Sequence, residues 1–315
     1  MQSVLTSALK LFWFELRIPT YTVKKILFII NNQSGTALEK RVSHWLKKAL
    51  DQRIFSYDYC ISQFPKQGIA LARDAASQNI DIVVAVGGDG TVNDVANGIF
   101  GTDTILGILP AGSGNGLARS LGIPINIRKS LLVLNQMNIR TIDSGWANGH
   151  LFLSNAGVGF DAFIARKFAS NKGRGILNYT QLVIRSFGKF KPAHYVLEVD
   201  GIQYKETAFF ISVANSNQIG YGFKMAPEAC LDDSKLDIIV MHPLRFWQLA
   251  PVTWLSITGH IQNSKFVKHL KGSRIRVTSS DPLNWMQVDG DAGEIRDKQE
   301  FEVEIFPQSM RVIVP

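Results

Sequence analysis

The sequence predicts an α/β protein: a doubly wound, parallel-sheet nucleotide domain over residues 24–140, then a mainly antiparallel β domain over 141–315, behind an extension at 1–23. Three observations predict it. Apolar, β-branched runs alternate with helix-like segments through the first half. Glycine-rich turns stand directly after those runs, and past Arg140 the pattern changes to many short alternating runs. At 315 residues the chain also exceeds the usual size of a single core.

The elements follow in order. Residues 25–30 form an apolar strand that runs into the polar turn Asn31-Asn32-Gln33-Ser34-Gly35-Thr36. Helix candidates lie at 37–49, 68–77, 93–99 and 115–121. Between them, Ile82-Val83-Val84-Ala85-Val86 suits a strand buried on both faces of a parallel sheet. It leads into Gly87-Gly88-Asp89-Gly90-Thr91-Val92-Asn93. Three glycines let the backbone turn sharply and bring bare N–H groups up to a ligand, and the helix that follows offers its N-terminus to an anion. A strand–turn–helix junction with glycines for geometry alone is the plainer alternative. Asp89 is the odd member. A carboxylate beside a phosphate cradle repels the ligand unless a divalent cation lies between them, which predicts a Mg²⁺-nucleotide rather than bare phosphate.

A second junction repeats the design one βαβ unit later. Residues 105–110 are again apolar, and Ala111-Gly112-Ser113-Gly114-Asn115 is the small-residue turn. In an open parallel sheet, turns at the carboxyl ends of neighbouring strands line one crevice, so the two turns can share a nucleotide. Beyond Arg140, strands are expected at 151–155, 195–199, 207–214, 236–241, 274–278, 285–288, 301–305 and 310–313, with helical insertions at 175–186 and 245–259. The active site is expected between the domains.

Composition narrows the class. The 46% apolar and 19% charged content is that of a folded globular chain. Cys60 and Cys230 are too few for a disulfide framework or a thiolate metal site, so a reducing cytoplasm is expected. No stretch approaches the ~18 apolar residues of a membrane span, and residues 1–17 lack the organisation of a secretory signal. Val4, Leu5, Ala8, Leu9, Phe12, Trp13 and Leu16 nevertheless fall at helical spacing and could lie on a membrane or pack on the protein.

The net charge of +8 is uneven. Residues 162–197 hold no acid, while Arg166, Lys167, Lys172, Arg174, Arg185, Lys189 and Lys191 fall among aromatic and aliphatic side chains. That pattern suits an anionic bilayer surface, where each cation contributes about 1 kcal/mol. A solvated helix face is the other reading. Nucleic acid is not expected, because no binding module accompanies the charge. Nothing in the chain signals an oligomeric state.

Together the motifs resemble the diacylglycerol kinase catalytic-domain family, which includes bacterial lipid kinases, sphingosine kinases and ceramide kinases. The resemblance runs from about residue 24 to Pro315. It rests on the turn from Gly87 to Thr91, the turn Pro110-Ala111-Gly112-Ser113-Gly114-Asn115, and the segment Asn155-Ala156-Gly157-Val158-Gly159-Phe160-Asp161. Ala226-Pro227-Glu228-Ala229 before Leu231-Asp232-Asp233-Ser234-Lys235-Leu236-Asp237, and the late Val288-Asp289-Gly290-Asp291, complete it.

The resemblance implies an ATP-dependent, Mg²⁺-requiring kinase that transfers a γ-phosphoryl group to a hydroxyl of a membrane lipid, either diacylglycerol or a sphingoid base. Such an enzyme would work peripherally on the inner face of the membrane. An NAD kinase-like enzyme and a non-catalytic nucleotide- or lipid-binding regulator are the alternatives. Implied nucleotide contacts come from Asn31, Ser34, Gly35, Gly87, Gly88, Asp89, Gly90, Thr91, Val92, Asn93 and Ser113, with Ser62 matching a position that is commonly threonine. Asn32 departs from a frequent proline. Gly116 stands where bacterial diacylglycerol kinases usually have aspartate and so resembles the sphingosine-kinase branch.

Read alone, Asp232, Asp233 and Asp237 make a solvated turn. The family implies a structural Mg²⁺ there, with Asp233 as side-chain ligand and the backbone carbonyls of Cys230 and Lys235 beside it. Asp289-Gly290 is a strong hairpin signal. In the family this motif reads Asp-Gly-Glu and its carboxylates serve as general base. Asp89, Asp289 and Asp291 are therefore the candidate catalytic carboxylates, with Glu294 a possible substitute for the missing glutamate. The resemblance further implies that the last strand returns to the first domain.

Overall fold

The computed structural model describes residues 23–31, 36–170, 175–295 and 300–315. The expected segment at 1–17 lies outside them, as do Ser34, Gly35, Lys172 and Arg174.

Four parallel strands open the chain: β1 (Lys24–Asn31), β2 (Phe55–Ser62), β3 (Ile82–Gly87) and β4 (Ile105–Pro110). Their order is β2-β1-β3-β4, so the winding reverses between β1 and β3. A ligand crevice opens at such a switch point, outside the carboxyl ends of the strands.

Helices cover both faces. They are α1 (Thr36–Ala49), α2 (Gln67–Ser77), α3 (Asp89–Ile99), the short α4 (Gly116–Ser120) and α5 (Ile127–Gln136). Alternation along β3 sends Val83 and Ala85 to a core shared with Ala72, Ala75, Val92 and Val95 of α2 and α3. Ile82, Val84 and Val86 meet Val42, Leu46, Leu131 and Leu134 of α1 and α5 on the other face.

One expectation is corrected here. Helix α3 begins at Asp89, not at Asn93. Gly88 is extended, and its carbonyl already accepts the N–H groups of Thr91 and Val92 at 3.0 and 3.1 Å. The turn proper is therefore Gly87-Gly88, and Asp89-Gly90-Thr91 form the first helical turn, a start that weak helix formers disguise.

The second half comprises β5 (Ile139–Ala147), β6 (His150–Phe152), β7 (Asn155–Gly159), α6 (Phe160–Ala169), α7 (Ile176–Phe187), β8 (Ala193–Val199), β9 (Ile202–Ala208), β10 (Phe210–Ala214), β11 (Leu236–Met241), α8 (Leu249–Thr258), β12 (Val267–Gly272), β13 (Arg274–Ser279), β14 (Trp285–Val288), β15 (Asp291–Glu294) and β16 (Glu300–Ile313). An antiparallel sheet of order β12-β11-β10-β7-β14-β15 packs on β13, β8 and β16. Inward-facing residues at period two, such as Leu197, Ile275 and Phe301 against Val158, Val213 and Ile238, fill the space between.

Strand β16 joins the two halves. It pairs with β13, with β5 along most of its length, and with β4 through Val312 opposite Leu106. The nucleotide sheet and one sheet of the sandwich are thus a single ten-stranded sheet. The expected strands at 301–305 and 310–313 are halves of β16, separated by a register shift between Phe306 and Met310. Gln308 holds that irregularity with φ 46° and an N–H donated to Asp143 Oδ1 at 2.7 Å. The domain boundary expected at 140 falls inside β5, and the strand expected at 151–155 is divided between β6 and β7.

Candidate active site

The strand registers bring Asn31 level with Ser62 and Gly87 level with Pro110, so the carboxyl ends of β1 to β4 form one edge. Two glycine turns touch there. A β-carbon on Gly112 would lie 2.3 Å from the Gly88 Cα, and the N–H groups of Ala111 and Gly112 donate to the Gly87 carbonyl at 2.8 and 3.2 Å. Asn115 closes the second turn, its amide donating to the Gly112 carbonyl at 2.7 Å and its Oδ1 accepting the Gly112 N–H at 3.0 Å. Asn31 Nδ2 donates to Thr91 Oγ1 at 2.9 Å, fixing the first turn of α3 to the end of β1. Ser113 is exposed on its turn, whereas Val92 is a core residue that offers the site only its backbone.

Asp89 sits where the two turns meet. Its Oδ2 leaves a Gly114 β-carbon only 3.1 Å, and its Oδ1 lies 3.4 Å from the Leu117 N–H at the start of α4. Burial and the neighbouring Asp289 push its pKa up to about 6, against the pull of the Leu117, Gly116 and Asn115 N–H groups. Gly116 is tightly enclosed by backbone. A β-carbon there would stand 3.0 Å from the Gln218 carbonyl and the Gly220 nitrogen.

Asp289 and Gly290, with φ of 48° and 86°, make the two-residue turn between β14 and β15. The Asp289 carboxylate is saturated. Oδ1 accepts Ser154 N–H at 2.8 Å and Asn155 N–H at 3.0 Å, and Oδ2 accepts Leu153 N–H at 3.0 Å and Asn93 Nδ2 at 2.9 Å. Burial raises its pKa, and those four donors oppose the rise. Each oxygen of the expected catalytic Asp289 is thus engaged by two donors, whereas Asp291 is not so enclosed. The geometry of Asp289 is that of a clamp between α3 and the β6–β7 turn, which also explains the division of the strand expected at 151–155.

Asp291 differs in every respect. It is exposed, and its Oδ2 lies 3.4 Å from the place of a β-carbon on Gly90, beside the first turn of α3. Lys66 Nζ stands 3.1 Å from Asp291 and 3.1 Å from Asp94. Burial lowers the Lys66 pKa less than the carboxylates of Asp291 and Asp94 raise it. Lys66 is invisible to sequence reasoning because a lone lysine before a helix carries no signal. Its one unusual property, a φ of 66°, is visible only in the fold. It helps to line a polar cavity of about 30 Å³ with Asn31, Ser62, Thr91 and Asp94. Glu294 pairs opposite Trp285 at the far end of β15, away from Gly90, so it does not stand in for Asp291.

The acidic turn is elsewhere. Asp233 accepts the Lys235 N–H at 3.1 Å and pairs with Lys271 at 3.3 Å, while Asp232 pairs with Arg140 at 2.9 Å and accepts from Cys230 Sγ at 3.0 Å. Among the described residues, no three His, Cys, Asp or Glu side chains gather as a metal cluster. A further acid, the half-buried Asp161, opens α6 above Gly157, where a β-carbon would meet its Oδ2. Burial pushes its pKa up to about 7 despite donation from the Ala162 N–H and Gln287.

Residues 25–147 match the diacylglycerol kinase catalytic domain, and residues 154–314 match the YegS C-terminal NAD kinase beta sandwich-like domain. A diacylglycerol kinase of Staphylococcus aureus is 30% identical over 278 residues, covering 86% of this chain and 87% of that one. The chain belongs to the diacylglycerol kinase family. A diacylglycerol kinase of Bacillus subtilis is similar at 26% identity over 277 residues, or 86% of this chain and 91% of that one. A crystal structure of a diacylglycerol kinase from Bacillus anthracis has the same fold, with a TM-score of 0.73 at 22% identity over 93% of this chain and 98% of that one. This member of the diacylglycerol kinase family is therefore a lipid kinase, and as a kinase it uses ATP. No helix among its described residues is long and apolar enough to cross a membrane.

Proposed function

We propose that this lipid kinase transfers the γ-phosphoryl group of Mg²⁺-ATP to the primary hydroxyl of a diacylglycerol in an anionic membrane, with Asp291 accepting the hydroxyl proton. One juxtaposition carries the reading: the exposed Asp291 carboxylate beside Gly90, in the helical turn that follows Gly87-Gly88. An acceptor hydroxyl held between Asp291 and the glycine turns has its base on one side and the phosphates on the other. As its oxygen bonds to the γ-phosphorus, the bond from that phosphorus to the bridging oxygen breaks, the proton passes to Asp291, and ADP carries away the charge.

The phosphates would lie along the N–H groups of Gly87, Gly88, Gly90 and Ser113, with Asn31, Ser62, Thr91 and Lys66 donating from the crevice wall. Asp89 suits a divalent cation. Its charge is disfavoured by burial and by Asp289, so it gains from a bound Mg²⁺, which when present neutralises the phosphate oxygens. No cation is assigned to the Asp233 turn, where the Lys271 ammonium stands 3.3 Å from Asp233 and 3.7 Å from Asp237. Asn93 and Asp289 act one step back by holding α3 against the acceptor side of the cleft.

Diacylglycerol is the lipid for which the relatives in Bacillus subtilis and Staphylococcus aureus are named. A sphingoid base is the second reading, favoured only by Gly116. Transfer of label from ATP to diacylglycerol, sphingosine and NAD in detergent micelles, with and without Mg²⁺, tests the assignment. Magnesium-dependent labelling of diacylglycerol is expected. Labelling of sphingosine alone would select the second reading, and labelling of NAD or of nothing would remove both.

A further inference from the structure

Helix α8 reads Leu-Ala-Pro-Val-Thr-Trp-Leu-Ser-Ile-Thr and contains no charge on any face. A helix that is apolar all round belongs inside a protein or against a membrane. Only half of this one is inside. Val252 and Ser256 are buried, and Leu249 and Leu255 pack on the cluster of Phe160, Phe187 and Phe209. The other side faces outward, with Trp254 65% and Ile257 47% exposed, and the preceding turn adds Phe246 at 59% and Trp247 at 68%. Helix α7 extends the face: the Phe187 ring lies 6.4 Å from Phe246, and Leu177 and Ile184 are 83% and 49% exposed. An open groove lined by Leu177, Gln181, Ile184 and Arg185 runs along it.

Charge identifies the occupant. There is no Asp or Glu between Asp237 and Asp281, nor between Asp161 and Glu198, and among the described residues these stretches expose cations including Arg185, Lys189, Lys191, Arg245 and Lys265. Two of the cations expected at the membrane have other partners: Arg166 stacks on Trp285 at 3.8 Å and Lys167 lies over Phe163 at 4.4 Å. A second copy of the chain would set basic rim against basic rim. An anionic bilayer offers apolar depth and negative headgroups together, and tryptophan favours the boundary between them.

The same helix is wired to the cleft. Lys224 donates its N–H to the Ser256 carbonyl at 3.1 Å, and Tyr221, three residues earlier, donates to the Gly114 carbonyl at 3.4 Å, beside Asp89. We propose that α8 and the turn at 246–248 are the bilayer-docking element of this enzyme, with Trp247 and Trp254 at headgroup level. Docking there sets the second glycine turn at the membrane surface. The inference extends the lipid-kinase reading but stands on the exposed face itself.

The test is sedimentation with vesicles of phosphatidylcholine alone or mixed with phosphatidylglycerol. Trp247→Ala with Trp254→Ala should lower partitioning at least about tenfold, from the apolar area no longer withdrawn from water. Arg245→Glu with Lys265→Glu should lower binding to the mixed vesicles by about fivefold per residue. Lipids brominated on the chain should quench the fluorescence of the unmodified protein, a readout that needs no variant. Activity on a short-chain diacylglycerol in micelles should stay within about twofold. Unchanged sedimentation, or absence of quenching, overturns the proposal. So does a wild-type dimer by light scattering that the tryptophan variant dissolves, which would give the face to a second copy. A protein that docks normally yet phosphorylates no lipid would instead overturn the proposed function.

Discussion

Replacing Asp289 with asparagine is expected to damage the fold of the cleft, whereas the same change at Asp291 is expected to damage only the chemistry. Each oxygen of Asp289 accepts two donors at 2.8 to 3.0 Å. An asparagine has one carbonyl oxygen and one NH₂ group. Whichever way it turns, two donors face a third donor: either the Leu153 N–H and Asn93 amide, or the Ser154 and Asn155 N–H groups. A buried donor left unpaired costs about 1–3 kcal/mol, so a pair of them costs about 2–6 kcal/mol, a large fraction of the roughly 5–15 kcal/mol that holds a domain together. Asp291→Asn loses one ion pair whose side chains are 54% and 56% exposed, and such a pair contributes only about 0–1 kcal/mol.

The assay is urea unfolding, kcat and nucleotide affinity on the same preparations. Asp289→Asn should shift the unfolding midpoint by at least about 2 kcal/mol in stability. Asp291→Asn should leave stability within about 1 kcal/mol while lowering kcat by roughly 10²–10⁴, as expected when a positioned carboxylate no longer takes the proton. Asp291→Glu should retain activity. An Asp289→Asn protein of wild-type stability with a kcat loss of that size would refute the argument and make Asp289 the base.

Four further outcomes are expected. Asp89→Ala should abolish transfer with an intact circular dichroism spectrum, and magnesium should no longer tighten ATP binding, checked by titration calorimetry. Gly112→Ala must push apart the backbones of both turns, which leave its β-carbon 2.3 Å from the Gly88 Cα, so ATP affinity should fall at least about tenfold and stability by about 1–3 kcal/mol. Lys66→Gly suits the φ of 66°, but it frees the unfolded chain and removes the ammonium between Asp94 and Asp291, so stability should fall by about 1 kcal/mol while KM for ATP rises about tenfold. Asp161 has its pKa raised by burial to about 7 in the folded state, so between about pH 4 and pH 7 the folded protein binds the extra proton. Stability should therefore fall as pH rises through that window and level off above it, by at most about 4 kcal/mol, and Asp161→Asn should flatten the dependence in urea titrations at several pH values.

The glycine turns at the ends of β3 and β4 were readable as turns because their signal is local. Gly87, Gly88, Gly112 and Asn115 serve backbone geometry within a few residues, and β3 announces itself by five consecutive apolar residues. The acceptor side depends on pairs distant in the chain. Asp289 meets its donors across 134 to 196 residues, and Lys66 meets Asp291 across 225, so no spacing rule connects them. Helix α8 was readable as a helix, but an all-round apolar pattern does not say which half lies inside, and only the Phe160–Phe209 cluster decides that.

The distant contacts also dictate how the cleft can move. Two separate domains would hinge freely about their linker, but here β16 runs through both and pairs with β4, β5 and β13. Asp289 adds a second tie by binding Asn93 of α3 and the turn that enters β7. A hinge between the glycine turns and the β14–β15 hairpin would have to break the bond from Asn93 to the buried Asp289 carboxylate, worth about 1.5–3 kcal/mol because the acceptor is charged, as well as the pairing of β16 with β4 and β5. Outside those ties lie the Lys66–Asp291 pair and the contacts of Tyr221 with Gly114 and of Lys224 with Ser256. Movement at the cleft mouth is therefore expected to cost less at the exposed Lys66–Asp291 pair than as a swing of one domain on the other, which must disrupt β16 pairing.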